Sequence, residues 1–487
     1  MACCPAARRR RVRAGDPGGR RPVTLWFDTT DVWAWSAPQL TGIQRVVVHV
    51  LGEVLRSRAD VKLFRFDPAS RTLVSLPPTA LAPAVQRHAG LVGATGPVGR
   101  NDDTPAAPAG RLERLRPLGL LRSRAPAHVR RAIDDYRGSR AVLGRSLRDW
   151  LAGAVAAVAG RGPRERRPAP TTSPPFGRGD VCLSLSLTWG FDGYWDAIAA
   201  GTRAGVPVIQ LLHDITFVVH PQWVLPDWAV MGAEWLRDAT TRADLLLVTS
   251  RFQREEIERY VAAAGLRLPP IEMVRLGDDP PALSSADGRT SGAGARVAGP
   301  FVLCVSGFYP RKNHHALYHV WRRLARDLGD RCPVLVLVGE APRMPFELLS
   351  EIQRDPLTRD RVRILLDVGD DELAHLFRDC LFTVYPSHYE GWGLPVAESL
   401  RLGRYCVASS AASIPEVGGD LIDYVDPVDY LGLCARIAHA VTHPEYVHER
   451  EIAIRQRYRG WSWAETTRQI LACVDGAAAR RADRTSR

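Results

Sequence analysis

The chain has 487 residues, a formal net charge of +12, 46% hydrophobic and 24% charged residues. It is too long for one ordinary domain and too apolar for a wholly disordered protein. No run approaches the ~20 apolar residues of a membrane-spanning helix; the best stretch, 150–160, is short and Ala/Gly-rich, and the N-terminal arginines lead into no apolar core, so no signal peptide is expected.

Residues 1–21 read as a disordered basic tail. Through residue 22 the start of the chain carries a net charge of +6, and 111–167 carries +10, so the rest is net negative. Only Lys62 and Lys312 are lysines, and the arginines accompany abundant Ala, Gly and Pro. Part of the arginine excess is therefore compositional, and no nucleic-acid partner is expected. The nine cysteines include no CxxC pair and several sit in apolar runs, which reads as buried thiols and no zinc site.

Short Val/Leu/Ile-rich runs without alternation recur at 23–28, 61–66, 181–187, 206–212, 245–249, 301–306, 334–338, 362–366, 381–385 and 405–408. Such runs suit parallel strands buried on both faces. Helix-like segments follow several of them; one opens at Ser250, an N-cap candidate with acids expected in the first turn. The alternation predicts doubly wound α/β domains. The first covers 22–280 and contains an Arg-rich insertion, 85–178. Its end and the following Pro/Ser/Gly-rich stretch, 281–299, mark the break, with low hydrophobicity from Asp278 onward. The second domain covers 300–440, and helices at 441–475 close the chain.

The most informative segment is Leu381-Phe-Thr-Val-Tyr-Pro-Ser-His-Tyr-Glu-Gly-Trp-Gly-Leu-Pro-Val-Ala-Glu398. A buried strand ends near Pro386, a glycine loop follows, and Pro395 opens a helix closed by Gly403. Strand, glycine loop and helix start make an anion site, because backbone N–H groups are uncovered and the helix dipole favours phosphate. Glu398 lies one turn into an apolar helix, where a carboxylate can accept hydrogen bonds from a diol. Taken alone, Glu390 and Glu398 could equally be a loop residue and a solvated helix residue.

The whole string resembles the E-x7-E signature of retaining, nucleotide-sugar-dependent glycosyltransferases of family 4 (glycosyl transferases group 1), and the resemblance extends through Ser409-Ser-Ala-Ala-Ser-Ile-Pro-Glu-Val-Gly-Gly-Asp420. It implies the GT-B fold, two Rossmann-like domains facing a cleft. It also implies that Glu390 contacts the donor sugar, that Glu398 holds the ribose, and that Gly391, Trp392, Gly393 and Leu394 offer backbone donors to the diphosphate. Val305-Ser-Gly-Phe-Tyr-Pro-Arg-Lys-Asn313 resembles the family's lysine loop, so Arg311 and Lys312 become donor-phosphate residues. The early arginine of that loop is absent, with Ser306 and Gly307 in its place.

Thr41-Gly-Ile-Gln-Arg-Val46 resembles the first glycine loop. Gly42 would admit the donor phosphates and Arg45 would begin the helix. Leu211-Leu-His-Asp214 resembles the His-Asp loop, giving His213 a place beside the transferred sugar, with Asp214 alternatively a turn cap. His220 and His388 are weaker candidates. Trp461-Ser-Trp463 opens a segment resembling the helix that crosses back to the first domain.

The resemblance implies transfer of a hexose from a nucleotide sugar, mannose among the donors, to a glycan or lipid-linked saccharide in cell-surface polysaccharide synthesis. No cofactor is expected. Metal independence is expected too, because the acidic pairs, Asp370-Asp371 among them, are read as lying away from these landmarks. The protein is expected in the cytoplasm, either free or at the inner face of an anionic membrane that 111–167 would meet. Two rival readings are a sugar-nucleotide epimerase of the same fold and a non-catalytic glycan-binding scaffold.

Overall fold

The computed structural model describes residues 23–34, 40–91, 176–177, 179–202, 205–279, 297, 299–339, 346–366 and 368–485. The basic tail, most of the 85–178 insertion and nearly all of the 281–299 linker lie outside them.

The first sheet has seven strands: β1 (Leu25–Asp28), β2 (Val61–Asp67), β3 (Thr72–Leu76), β4 (Val181–Ser184), β5 (Val208–Leu211), β6 (Leu245–Val248) and β7 (Ile271–Met273). Their spatial order is β3-β2-β1-β4-β5-β6-β7, parallel except for β3 against β2. Its helices are α1 (Gly42–Ser57), α2 (Pro83–His88), α3 (Tyr194–Gly201), α4 (Thr216–Val219), α5 (Pro226–Arg242) and α6 (Arg251–Ala263). The second sheet contains β8 (Phe301–Val305), β9 (Val334–Val338), β10 (Val362–Leu365), β11 (Thr383–Tyr385), β12 (Cys406–Ser409) and β13 (Asp423–Val425), in the order β10-β9-β8-β11-β12-β13 and all parallel. Helices α7 (His314–Leu328), α8 (Phe346–Arg354), α9 (Asp370–Asp379), α10 (Leu394–Arg401), α11 (Ile414–Gly418), α12 (Tyr430–Thr442), α13 (Pro444–Arg457) and α14 (Trp463–Thr485) complete the chain.

Both sheets are covered on both faces, which is why their strands are continuously apolar. In β1, Leu25 and Phe27 enter the core shared with α1, while Trp26 enters the opposite one. In β8, Val302 and Cys304 face one core and Phe301 and Leu303 the other. This is the two-residue period of a strand at work on two hydrophobic layers. Trp463, Ile470 and Val474 of α14 belong to the core of the first sheet, and the Trp463 ring stacks on His49 of α1 at 4.9 Å. Trp461 is half-buried beneath the Arg275 guanidinium.

Three strands escape the sequence pattern. β3 is an edge strand in which only Leu73 and Leu76 are buried, and β7 and β13 have three residues each. Asp278, where the low-hydrophobicity stretch begins, is a buried anchor that accepts hydrogen bonds from the Tyr458 hydroxyl and the Trp461 N–H. In α6, Ser250 caps the Gln253 N–H, but the first turn carries no acid, since Glu255 and Glu256 fall in the second turn. Among the described residues, six of seven cysteines are buried and all are free, and no helix is long and apolar enough to cross a membrane.

In each sheet the strand order reverses beside the first strand, between β1 and β4 and between β8 and β11. Ligands of doubly wound sheets bind outside the strand ends at such points. Asp28 closes β1 at one of them. It is fully buried and accepts from the Thr30 N–H and hydroxyl, the Ser184 hydroxyl and the Tyr194 hydroxyl. Burial pushes its carboxyl above the ordinary value, and these donors pull it back. Asp28→Ala would strand several buried donors, so a loss of about 3–5 kcal/mol is expected, read by urea denaturation.

Candidate active site

The two C-terminal sheet edges face each other across a cavity of about 820 Å³. His213, Arg311, Lys312, Glu390, Gly391, Trp392, Gly393, Leu394, Glu398 and Gly42 all line it. The loops after β8 and β11 bring the charged members together. Residues 310–312 form a 3-10 turn, followed by Asn313 in the left-handed region (φ 59°). Asparagine tolerates that conformation, and its amide ties the turn to the carbonyls of Pro386 and Pro427.

Glu390 is the hub. Its Oε1 accepts from Lys312 Nζ at 2.5 Å and from the Tyr385 hydroxyl at 2.9 Å, and its Oε2 accepts from Arg311 Nη1 at 2.8 Å. Burial raises the Glu390 carboxyl, but Arg311 and Lys312 outweigh it and hold it at about 2. Burial, then the neighbouring Arg311 charge, bring the Lys312 ammonium down to about 8. Asp214 approaches Arg311 at 4.0 Å from the first domain, and its other oxygen caps the Thr216 N–H.

The glycine loop behind Glu390 is pinned through its carbonyls. Those of Glu390 and Trp392 accept from the Ser413 hydroxyl, and that of Gly391 accepts from the hydroxyls of Thr249 and Ser250 in the first domain. A Cβ on Gly391 would lie 1.9 Å from the His213 carbonyl, so only glycine permits this approach. Gly393, at φ 117°, turns the chain into α10. Among the described residues the N–H groups of Gly391, Trp392, Gly393 and Leu394 donate no hydrogen bond. Four uncommitted donors beside a lysine and a helix start form an anion cradle.

His213 donates its Nε2–H to the Leu185 carbonyl at 2.7 Å, and burial lowers its pKa. The ring is therefore neutral, with Nδ1 left as an acceptor. Gly42 is the first residue of α1, behind the Thr41 cap; a Cβ there would make only an ordinary 3.8 Å contact with Leu394, so the ligand-free packing does not require glycine. Glu398 is buried, and its Oε1 accepts from Arg45 Nη1 at 2.6 Å. Arg45 also reaches Asp370, which corrects the reading of that aspartate as remote from the site. His388 stacks on Trp223 and His220 packs against Tyr389, and neither histidine lines the cavity.

Three cavity-lining residues carry a buried polar atom with no partner among the described residues: Gln44 Oε1, Thr216 Oγ1 and Trp392 Nε1. Sequence reading also missed Glu416, whose carboxylate accepts from the N–H groups of Arg251 and Phe252 at the start of α6. It caps a helix of the opposite domain, a role visible only once the two sheets face each other.

Two doubly wound sheets facing one cavity make the GT-B fold. Residues 293–453 match the family model "Glycosyl transferases group 1", so that segment is a glycosyltransferase group 1 domain. The chain is 28% identical over 293 residues to O-antigen chain mannosyltransferase B of Escherichia coli, covering 58% of this chain and 75% of that one. It is 26% identical over 294 residues to the serotype-specific mannosyltransferase WbdA of Escherichia coli, of which it spans 36%. The crystal structure of Anabaena HepE in complex with UDP and glucose superposes with a TM-score of 0.51 at 15% identity, covering 93% of this chain and all of that one.

The low Lys312 pKa has a measurable consequence. The ammonium is charged below about pH 8 and loses its charge above it. The ratio of pyrophosphate affinities, native protein over Lys312→Arg, is expected to be level below pH 8 and to fall above it in titration calorimetry. A ratio that stays level up to pH 9.5 would show that Lys312 does not hold the anion.

Proposed function

We propose that this chain is a retaining glycosyltransferase of family 4. In this reading it moves a hexose, with mannose donors the first to test, from a nucleoside diphosphate to a glycan or lipid-linked saccharide of a cell-surface polysaccharide. The observation that carries the reading is the row of four N–H groups leading into α10 that donate no hydrogen bond among the described residues, in a cavity also lined by Lys312 and Arg311. The mannosyltransferase names of the relatives support the donor sugar and the polymer.

The diphosphate docks on the cradle, with its negative charge met by the backbone dipoles, Lys312 and Arg311. Glu398 takes the ribose diol. The neutral His213 accepts a hydroxyl of the transferred sugar. Glu390, held at about 2, is too weak a base to deprotonate an acceptor; it fixes the two cations and meets the donor sugar. The acceptor hydroxyl attacks the anomeric carbon on the face the diphosphate leaves, and the departing phosphate oxygen takes the proton. The positive charge that stabilises departure comes from side chains, so the transfer needs no divalent cation.

The acceptor approaches along the first domain. Trp189, Trp223 and Trp228 line that side of the cavity, and Trp189 and Trp228 meet edge to face at 5.2 Å. Indole faces suit the C–H faces of sugar rings while leaving the hydroxyls wet.

A thermal-shift screen against nucleotide sugars, followed by NMR of the product, tests this. One nucleoside-diphosphate hexose should raise the melting temperature. Its anomeric configuration should survive transfer, turnover should persist in EDTA, and Glu390→Ala should lower turnover at least 100-fold. Inverted product, or turnover lost in EDTA, would contradict the proposed mechanism.

A further inference from the structure

Glu398 does not stand alone in the second domain. Its Oε1 accepts from Arg45 Nη1 at 2.6 Å, and Arg45 belongs to α1 of the first domain. The second amino group, Nη2, donates to Asp370 Oδ1 at 3.2 Å, at the first residue of α9. Asp370 Oδ2 lies 3.4 Å from His88 Nδ1 on α2. One cation from the first domain is thus gripped by two carboxylates of the second, and the Glu398 side chain is only 7% exposed. Among the described residues its other oxygen, Oε2, accepts no hydrogen bond.

A carboxyl in such a place meets a conflict. Burial favours the neutral form, which can both donate and accept but is a weak acceptor. A vicinal diol presents two donors and binds best to an ionised carboxylate. Something must hold the charge on Glu398, and the cation in contact with it is Arg45. Asp370 fixes the guanidinium from its far side, so the arginine does not swing into the space beside Oε2.

We propose that Arg45 is a positioning residue for the nucleotide: from the opposite domain it keeps Glu398 ionised and aimed, so that the ribose site is complete only when the two domains are closed. The inference rests on the reading of Glu398 as the ribose carboxylate. It makes closure and nucleoside recognition one event, because the arginine arrives with the first domain. Burial holds the Glu398 carboxyl above its ordinary value and Asp370 adds to that, while Arg45 is the charge that pulls it back down. The charged and titratable groups facing Glu398 are Arg45 and His49 on α1, Asp370 on α9, with His88 behind it, and Asp278. His49 is held near 4 by burial and the Arg45 charge and stays neutral above pH 5.5.

The test is calorimetry of a ribonucleoside diphosphate and its 2′,3′-dideoxy analogue, from pH 5.5 to 7.5, on the native protein, Arg45→Met and Arg45→Lys. The native protein should prefer the ribonucleotide. Arg45→Met should lose at least tenfold in affinity for the ribonucleotide at pH 7 and much less for the dideoxy analogue. Its ribonucleotide affinity should rise with pH relative to the native protein, as Glu398 ionises. Arg45→Lys should restore most of the preference. If Arg45→Met fails to fold, Arg45→Gln, which keeps a hydrogen-bond donor but no charge, should show the same ribonucleotide-selective loss. Equal losses for both nucleotides, or tighter binding without Arg45, would overturn the inference and leave the Glu398 reading standing. A native protein that binds the two nucleotides equally would overturn both.

Discussion

One buried carboxylate organises the second domain's contribution to the site. Both oxygens of Glu390 are engaged, by Lys312 and Tyr385 on one side and Arg311 on the other. Removing a partner from such a cluster leaves an uncompensated charge out of water, which is costly. The cluster therefore fixes the loop after β8 against the loop after β11, across the point where the strand order reverses. With the cations held there, the glycine loop behind them can direct its carbonyls to hydroxyl groups and keep its N–H groups uncommitted.

The same loop is where the domains meet. The Gly391 carbonyl takes bonds from Thr249 and Ser250, its Cα lies against the His213 carbonyl, and Glu416 caps α6 from the other side. Arg45 adds an ion pair across the gap. Elements that would bind the donor are thus also the elements that close the cleft. First-domain groups, His213 and Arg45, thereby reach a site built on second-domain loops.

Much of this was legible in the sequence. Strands buried on both faces announce themselves by uninterrupted Val, Leu and Ile, and the segment ending at Glu398 carried its local geometry and the likeness of its domain to glycosyl transferases group 1. Edge and three-residue strands were not legible, because β3 at its sheet edge buries only Leu73 and Leu76, and β7 and β13 bury too little to leave a pattern. Asp278 gave no sign of its anchoring role, because the sequence around it is polar and its partners, Tyr458 and Trp461, lie about 180 residues away. Arg45, Asp370 and Glu416 failed to stand out for the same reason. Their roles depend on contacts between domains, and no local period or spacing encodes those.

The most direct measurement is a structure of the protein with its nucleoside-diphosphate sugar bound. The account predicts the β-phosphate on the N–H groups of Gly391, Trp392, Gly393 and Leu394, with Lys312 Nζ within hydrogen-bond distance of a phosphate oxygen. Phosphates resting elsewhere, with those N–H groups still unbonded and Lys312 Nζ making no contact with a phosphate oxygen, would contradict it.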